Sequence, residues 1–124
     1  MLNDVQEIPT KWRMEVCAIL DSAPDRIQVS LRAIQSWDEM FPDSDIGGIY
    51  YQMYACMSEA LKVDGVKGVR IPAIGNDNGE IWEFLFAVDE RKNLYGKISL
   101  RIVTKNGKKG LYIYSAHPAE RNYL

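Results

Sequence analysis

The sequence is short of the residues from which metal sites and covalent frameworks are built. It has two cysteines and one histidine in 124 residues. Cys17 and Cys56 lie in separate apolar, helix-like stretches and form no C-x-x-C pair, so both are expected as buried free thiols. One histidine and scattered acids lack metal-ligand spacing, so no metal and no other cofactor is expected. There is no Walker loop, no Rossmann glycine pattern and no G-x-S-x-G elbow, which removes the commonest nucleotide-dependent and serine-hydrolase chemistries. No run approaches the roughly 18 apolar residues of a membrane span. The opening MLNDVQEIPTKW is acidic and polar, unlike a signal peptide. Together these features predict a protein of the reducing cytoplasm.

The composition is that of an ordinary globular protein, with 47% apolar and 26% charged residues. Its length predicts one domain over residues 1–124, enough to bury a core. The net charge of −2 is unevenly spread. Residues 1–64 carry 5 basic and 11 acidic side chains, a balance of −6. Residues 65–124 carry 10 basic and 6 acidic, a balance of +4. Either the C-terminal half meets an anion such as phosphate, or the two halves attract each other.

The apolar period changes near Gly65. Before it, helices are predicted over 9–22, 26–40 and 46–62, from apolar residues at helical spacing; Pro9 suits the first start and Asp25 the second cap. Beyond it the pattern alternates. Strands are predicted over 66–75, 80–88, 94–103 and 111–117, with Asn-Gly turns at 76–79 and 104–110. The expected fold is α+β: a helical half of about 9–63, with two or three helices packed on one face of a three- to four-stranded antiparallel sheet, about 66–117.

The opposite face of that sheet is where function is expected. Alternation sends Lys97, Ser99 and Arg101 outward on one strand and Glu83 on the strand before. Tyr112 and Tyr114 face outward if Leu111 and Ile113 enter the core. Ser115, His117 and Arg121 then fall at the edge, where Pro118 ends the ladder. This set suits metal-free RNA cleavage. Glu83 or His117 can take the 2′-hydroxyl proton, Arg101 and Lys97 can hold the charge that builds on the phosphorane, and His117 can protonate the leaving oxygen. Lys97, Ser99, Tyr112, Tyr114 and Arg121 are the expected RNA contacts, the tyrosines offering π-faces to splayed bases.

Three stretches carry a resemblance: Trp82-Glu83, GKISLRI at 96–102 and LYIYSAH at 111–117. Their order resembles the barnase–EndoU–colicin–RelE group of small RNase toxins, and within it the MqsR-type toxins of toxin–antitoxin pairs. Those toxins have a Trp-Gln strand, a G-x-V-Y-L-K-I strand and a strand ending in S-F-K. Glu83 stands at the place of their glutamine, Ser99 at a tyrosine, Arg101 at a lysine and His117 at the terminal lysine. Such toxins tend to be basic, and this chain is not. The resemblance implies cleavage of mRNA or tRNA without a metal, and inhibition by a cognate antitoxin.

A second reading is a non-enzymatic protein-binding module, an immunity, antitoxin-like or phage-encoded inhibitor protein. Asp38, Glu39, Asp43 and Asp45 cluster around a turn with Trp37 and Phe41, here expected as exposed aromatics, and an acidic surface can engage a basic enzyme. A third is a domain with no activity of its own, folded into a homo-oligomer such as a homodimer, with Trp12, Trp37, Tyr50, Tyr51 and Tyr54 as expected interface anchors.

Overall fold

A computed structural model describes residues 4–103 and 105–119. Three helices cover one side of a six-stranded mixed sheet, so the α+β class holds and the sheet is larger than the alternating segments alone predict. The strands are β1 (Val5–Glu7), β2 (Ile27–Val29), β3 (Lys67–Ile71), β4 (Glu80–Val88), β5 (Arg91–Ile102) and β6 (Lys109–Pro118). Their order across the sheet is β1-β3-β4-β5-β6-β2. The helices are α1 (Thr10–Ser22), α2 (Leu31–Met40) and α3 (Tyr51–Leu61).

The two added strands come from the N-terminal half. β1 pairs antiparallel with β3, and β2 pairs parallel with β6. β2 corrects the second predicted helix. Ile27 and Val29 alternate and are β-branched, and they join β6 opposite Leu111 and Ile113. The helix starts only at Leu31, and Ser30 rather than Asp25 caps it, its hydroxyl accepting from the Ala33 amide at 3.0 Å. The third helix likewise begins at Tyr51, after a turn in which Gly47 and Gly48 both have positive φ.

The core lies between the helices and the face formed by Trp82, Phe84, Phe86, Val88, Ile98, Leu100, Leu111 and Ile113. Trp37 is at its centre, fully buried, with its indole N–H donated to Ser44 Oγ at 2.9 Å and its ring stacked on Phe86. Trp12, Tyr50 and Tyr54 are buried too. These residues are therefore core, not surface anchors as expected; of that aromatic set Tyr51 is exposed and Phe41 is half-buried. Arg13 braces α1 against the end of α3 by donating to the Leu61 carbonyl at 2.8 Å, an end that lacks helical partners. Cys17 is a buried free thiol as expected; Cys56 is also free but only half-buried. Burial pushes both thiols up from their ordinary range. No helix among the described residues is long and apolar enough to cross a membrane.

Candidate nucleic-acid interface

A bulge in β6 sets the composition of the open face. Lys97 pairs with Ser115 while the next residue, Ile98, pairs with Ile113, so Tyr114 is the extra residue. Before the bulge, Leu111 and Ile113 enter the core and Tyr112 faces away. Beyond it the parity reverses: Ala116 is fully buried in the core, and Ser115 and His117 face away. Tyr112, Tyr114, Ser115 and His117 thus share one face with Tyr95, Lys97, Ser99 and Arg101 of β5 and Glu83 of β4.

This face is only partly open. Ser99 is fully buried, and Glu83 is 8% exposed. The connection between β3 and β4 folds across it and presents Asp77, 6% exposed, to two strands beyond its own hairpin. Asp77 Oδ1 accepts from the Gly79 amide at 2.7 Å and from Ser99 Oγ at 3.0 Å. Its Oδ2 accepts from Tyr114 Oη at 2.6 Å and from Arg101 Nη1 at 3.4 Å. Burial alone would raise the Asp77 carboxyl, but the hydrogen bonds from Tyr114, Gly79 and Ser99, with the Arg101 charge, outweigh it and hold the group below its ordinary value. Tyr114 responds in the opposite sense. Desolvation, and its bond to a carboxylate, push its hydroxyl up to about 12.

Asp77 also fixes Arg101. The guanidinium reaches Gln28 Oε1 at 3.1 Å through its other terminal nitrogen, and lies 4.7 Å from the centre of the Tyr112 ring. Tyr112 in turn meets Tyr114 edge-on at 4.5 Å. Gln28 comes from β2, so the site draws on a strand that helical periodicity concealed. Beside Arg101 lies a cleft of about 530 Å³, bordered by the 76–80 turn, the end of β5, Gln28 and Lys109.

A second group lies further along β5. Lys97 Nζ is 3.6 Å from Glu83 Oε1, across the β4–β5 pair. His117 is opposite Tyr95 and stacks on its ring at 5.0 Å, with Nδ1 2.8 Å from the Pro118 carbonyl. His117 is the diagonal neighbour of Lys97, a relation that separates Cα atoms by about 7–8 Å.

The structure therefore divides the expected site. It brings Glu83, Lys97, Ser115 and His117 into one neighbourhood, and Ser99, Arg101, Tyr112 and Tyr114 into another. Arg101 is six residues along β5 from the partner of His117, about 20 Å at 3.4 Å per residue. Arg121 lies outside the described residues. Asp77, Gln28 and Tyr95 belong to the site and were not expected. Asp77 read as a turn residue of NDNG, and nothing in the local pattern says which strand a turn carboxylate will reach.

Ion pairs among the described residues form mostly within each half, which leaves the charge asymmetry between the halves in place. Lys62 pairs with Asp21, while Arg70, Lys97 and Arg101 pair with Glu80, Glu83 and Asp77. Lys109 with Glu15, at 2.8 Å, bridges the two halves. No group of three or more His, Cys, Asp or Glu among the described residues is arranged to hold a metal ion.

No family model, no curated protein and no solved structure matches this chain.

Proposed function

We propose that this protein is a metal-independent endoribonuclease that works on the open face of its sheet, with the role of a toxin held in check by a protein inhibitor. The observation that carries the reading is the β6 bulge. It turns His117 onto the face that already bears Lys97 and Glu83, three groups with complementary roles in phosphodiester cleavage. In this reading Glu83 takes the 2′-hydroxyl proton, Lys97 stabilises the charge developing on the phosphorane, and His117 protonates the leaving oxygen. Ser115, opposite Lys97, brings a hydroxyl to the same face. Arg101 moves from the chemistry to substrate binding, because of its distance along β5. Incubating the purified protein with RNA in EDTA, alongside His117→Ala, tests the proposal.

The protein-binding reading retains one favourable observation. Asp38, Glu39, Asp43 and Asp45 are all exposed, and Ile46 beside them is 67% exposed. It no longer has Trp37, which is in the core. A stoichiometric protein partner that survives nuclease treatment and is lost on Asp43→Lys/Asp45→Lys is the result this second reading requires.

A further inference from the structure

The cleft beside Arg101 is a recess with polar lining at the end of β5, and the cleavage chemistry proposed above does not use it. Its contents are specific. Arg101 presents a planar cation whose position is over-determined: Asp77 and Gln28 hold two nitrogens, and Tyr112 supports the plane. The Arg101 side chain is nevertheless 27% exposed and borders the cleft. Asn76 and Asn78 stand exposed on the facing turn, and Gln28 on the floor strand, so the walls carry amide groups that both donate and accept. Lys109 lies at the rim, held by Glu15.

A planar cation, amide edges and a rim ammonium match a nucleobase with its phosphate. A base stacks on the guanidinium plane, its edge meets the amides, and the phosphate meets the ammonium. A base inside a duplex has no free face to offer, so the ligand is single-stranded. The cleft and the Lys97–His117 group are four residues apart on β5, about 14 Å. A ligand that fills both sites is longer than one nucleotide.

We infer that the cleft formed by Gln28, Asn76, Asn78, Arg101 and Lys109 is a nucleotide subsite that holds one unpaired residue of a single-stranded RNA substrate, away from the bond to be cut. The choice of RNA rests on the endoribonuclease reading; the single-strand requirement rests on the cleft.

Binding can be separated from cleavage. Fluorescence anisotropy of a labelled oligoribonucleotide, with the full-length His117→Ala protein, reads binding alone. The strand is expected to bind, and the same sequence annealed to its complement is expected to compete at least about tenfold less well. Arg101→Lys keeps the charge but loses the plane, and Asn78→Ala removes an exposed amide without touching the core. Arg101→Lys is expected to weaken binding by roughly five- to a hundredfold, the range of one lost stacking contact, and Asn78→Ala by a smaller factor. Thermal melting shows whether each variant is folded. Unchanged affinity in both folded variants overturns the inference, as does equal binding of the duplex. Loss of binding in the variants, together with no cleavage by the wild-type chain, overturns the nuclease reading and leaves the subsite. Cleavage by the wild-type chain with unchanged binding in the variants does the reverse.

Discussion

Tyr114 of β6 donates its hydroxyl hydrogen to Asp77 of the β3–β4 connection at 2.6 Å, across 37 residues of sequence. Two strands separate the turn from the bulge, and this bond closes the gap. It places the bulge residue, the buried carboxylate and Arg101 in one network. Every member of that network has a partner: among the described residues no buried side-chain nitrogen or oxygen lacks one.

Removing the acceptor is expected to cost more than removing one donor. Asp77→Ala leaves Ser99, Tyr114 and Arg101 without their carboxylate, and should destabilise the fold by about 2–5 kcal/mol. Tyr114→Phe deletes one hydrogen bond to a charged group, and should cost about 1.5–3 kcal/mol. Urea unfolding of both variants gives the two values. A reversed order would show that the connection is held to the sheet by something other than Asp77.

The same pair gives a pH signature with two signs. Asp77 is held below the ordinary carboxyl value near 3.9, so its stabilisation is present above that pH and is lost as pH falls through the lower folded value. Tyr114 is raised from about 10 to about 12, so its contribution is complete below about pH 10 and is lost as pH rises toward 12. A tyrosinate absorbance titration of the folded protein should show a phenol ionising near 12. In Asp77→Asn that phenol should ionise earlier, since the carboxylate charge that opposes its ionisation is gone.

Gly79 is a test of close packing rather than of backbone freedom. Its φ is not in the left-handed region, unlike Gly75 and Gly107 at 55° and 83°. A Cβ there would meet Ser99 Oγ, and would lie 2.7 Å from the Leu100 carbonyl oxygen. Gly79→Ala should therefore push the connection off the face and destabilise by about 1–3 kcal/mol. Gly48, with nothing within 4 Å of a built Cβ, provides the contrast: Gly48→Ala pays only for its positive φ, about 1 kcal/mol. Melting temperatures of the two variants decide between steric contact and backbone strain as the reason for Gly79.

The strands from 80 to 118 were legible because their alternation is long and one face is apolar. Trp82, Phe84, Phe86 and Val88 needed no tertiary information to be assigned inward. β1 and β2 were not legible, because three residues are too few to show a period and Ile27-Val29 also fits a helical stripe. Trp37 was misplaced by its acidic neighbours: Asp38, Glu39 and Asp43 are exposed as charge predicts, but the indole turns inward and finds Ser44 for its N–H. The open face was right in membership for Glu83, Lys97, Ser99, Arg101, Tyr112 and Tyr114. Its geometry was not visible, since a bulge reverses parity without any residue that announces it, and a turn such as NDNG does not show which side chain it lays across the sheet. The alternation placed Arg101 on this face and left His117 at its edge, and only the register shows that His117 joins the face at a different part of it.

The most direct test is RNA cleavage in the presence of EDTA by the wild-type protein, His117→Ala and Lys97→Met. Lys97 is partly exposed and His117 half-buried on the open face, so both variants should fold, and melting temperatures verify it. The account predicts defined fragments from the wild-type chain, and a loss of roughly a hundredfold or more in rate for His117→Ala, the scale of a general acid. It predicts a loss of similar size for Lys97→Met, the scale of one charge-stabilising group. Intact RNA with the wild-type protein, or cleavage that neither substitution changes, would contradict it.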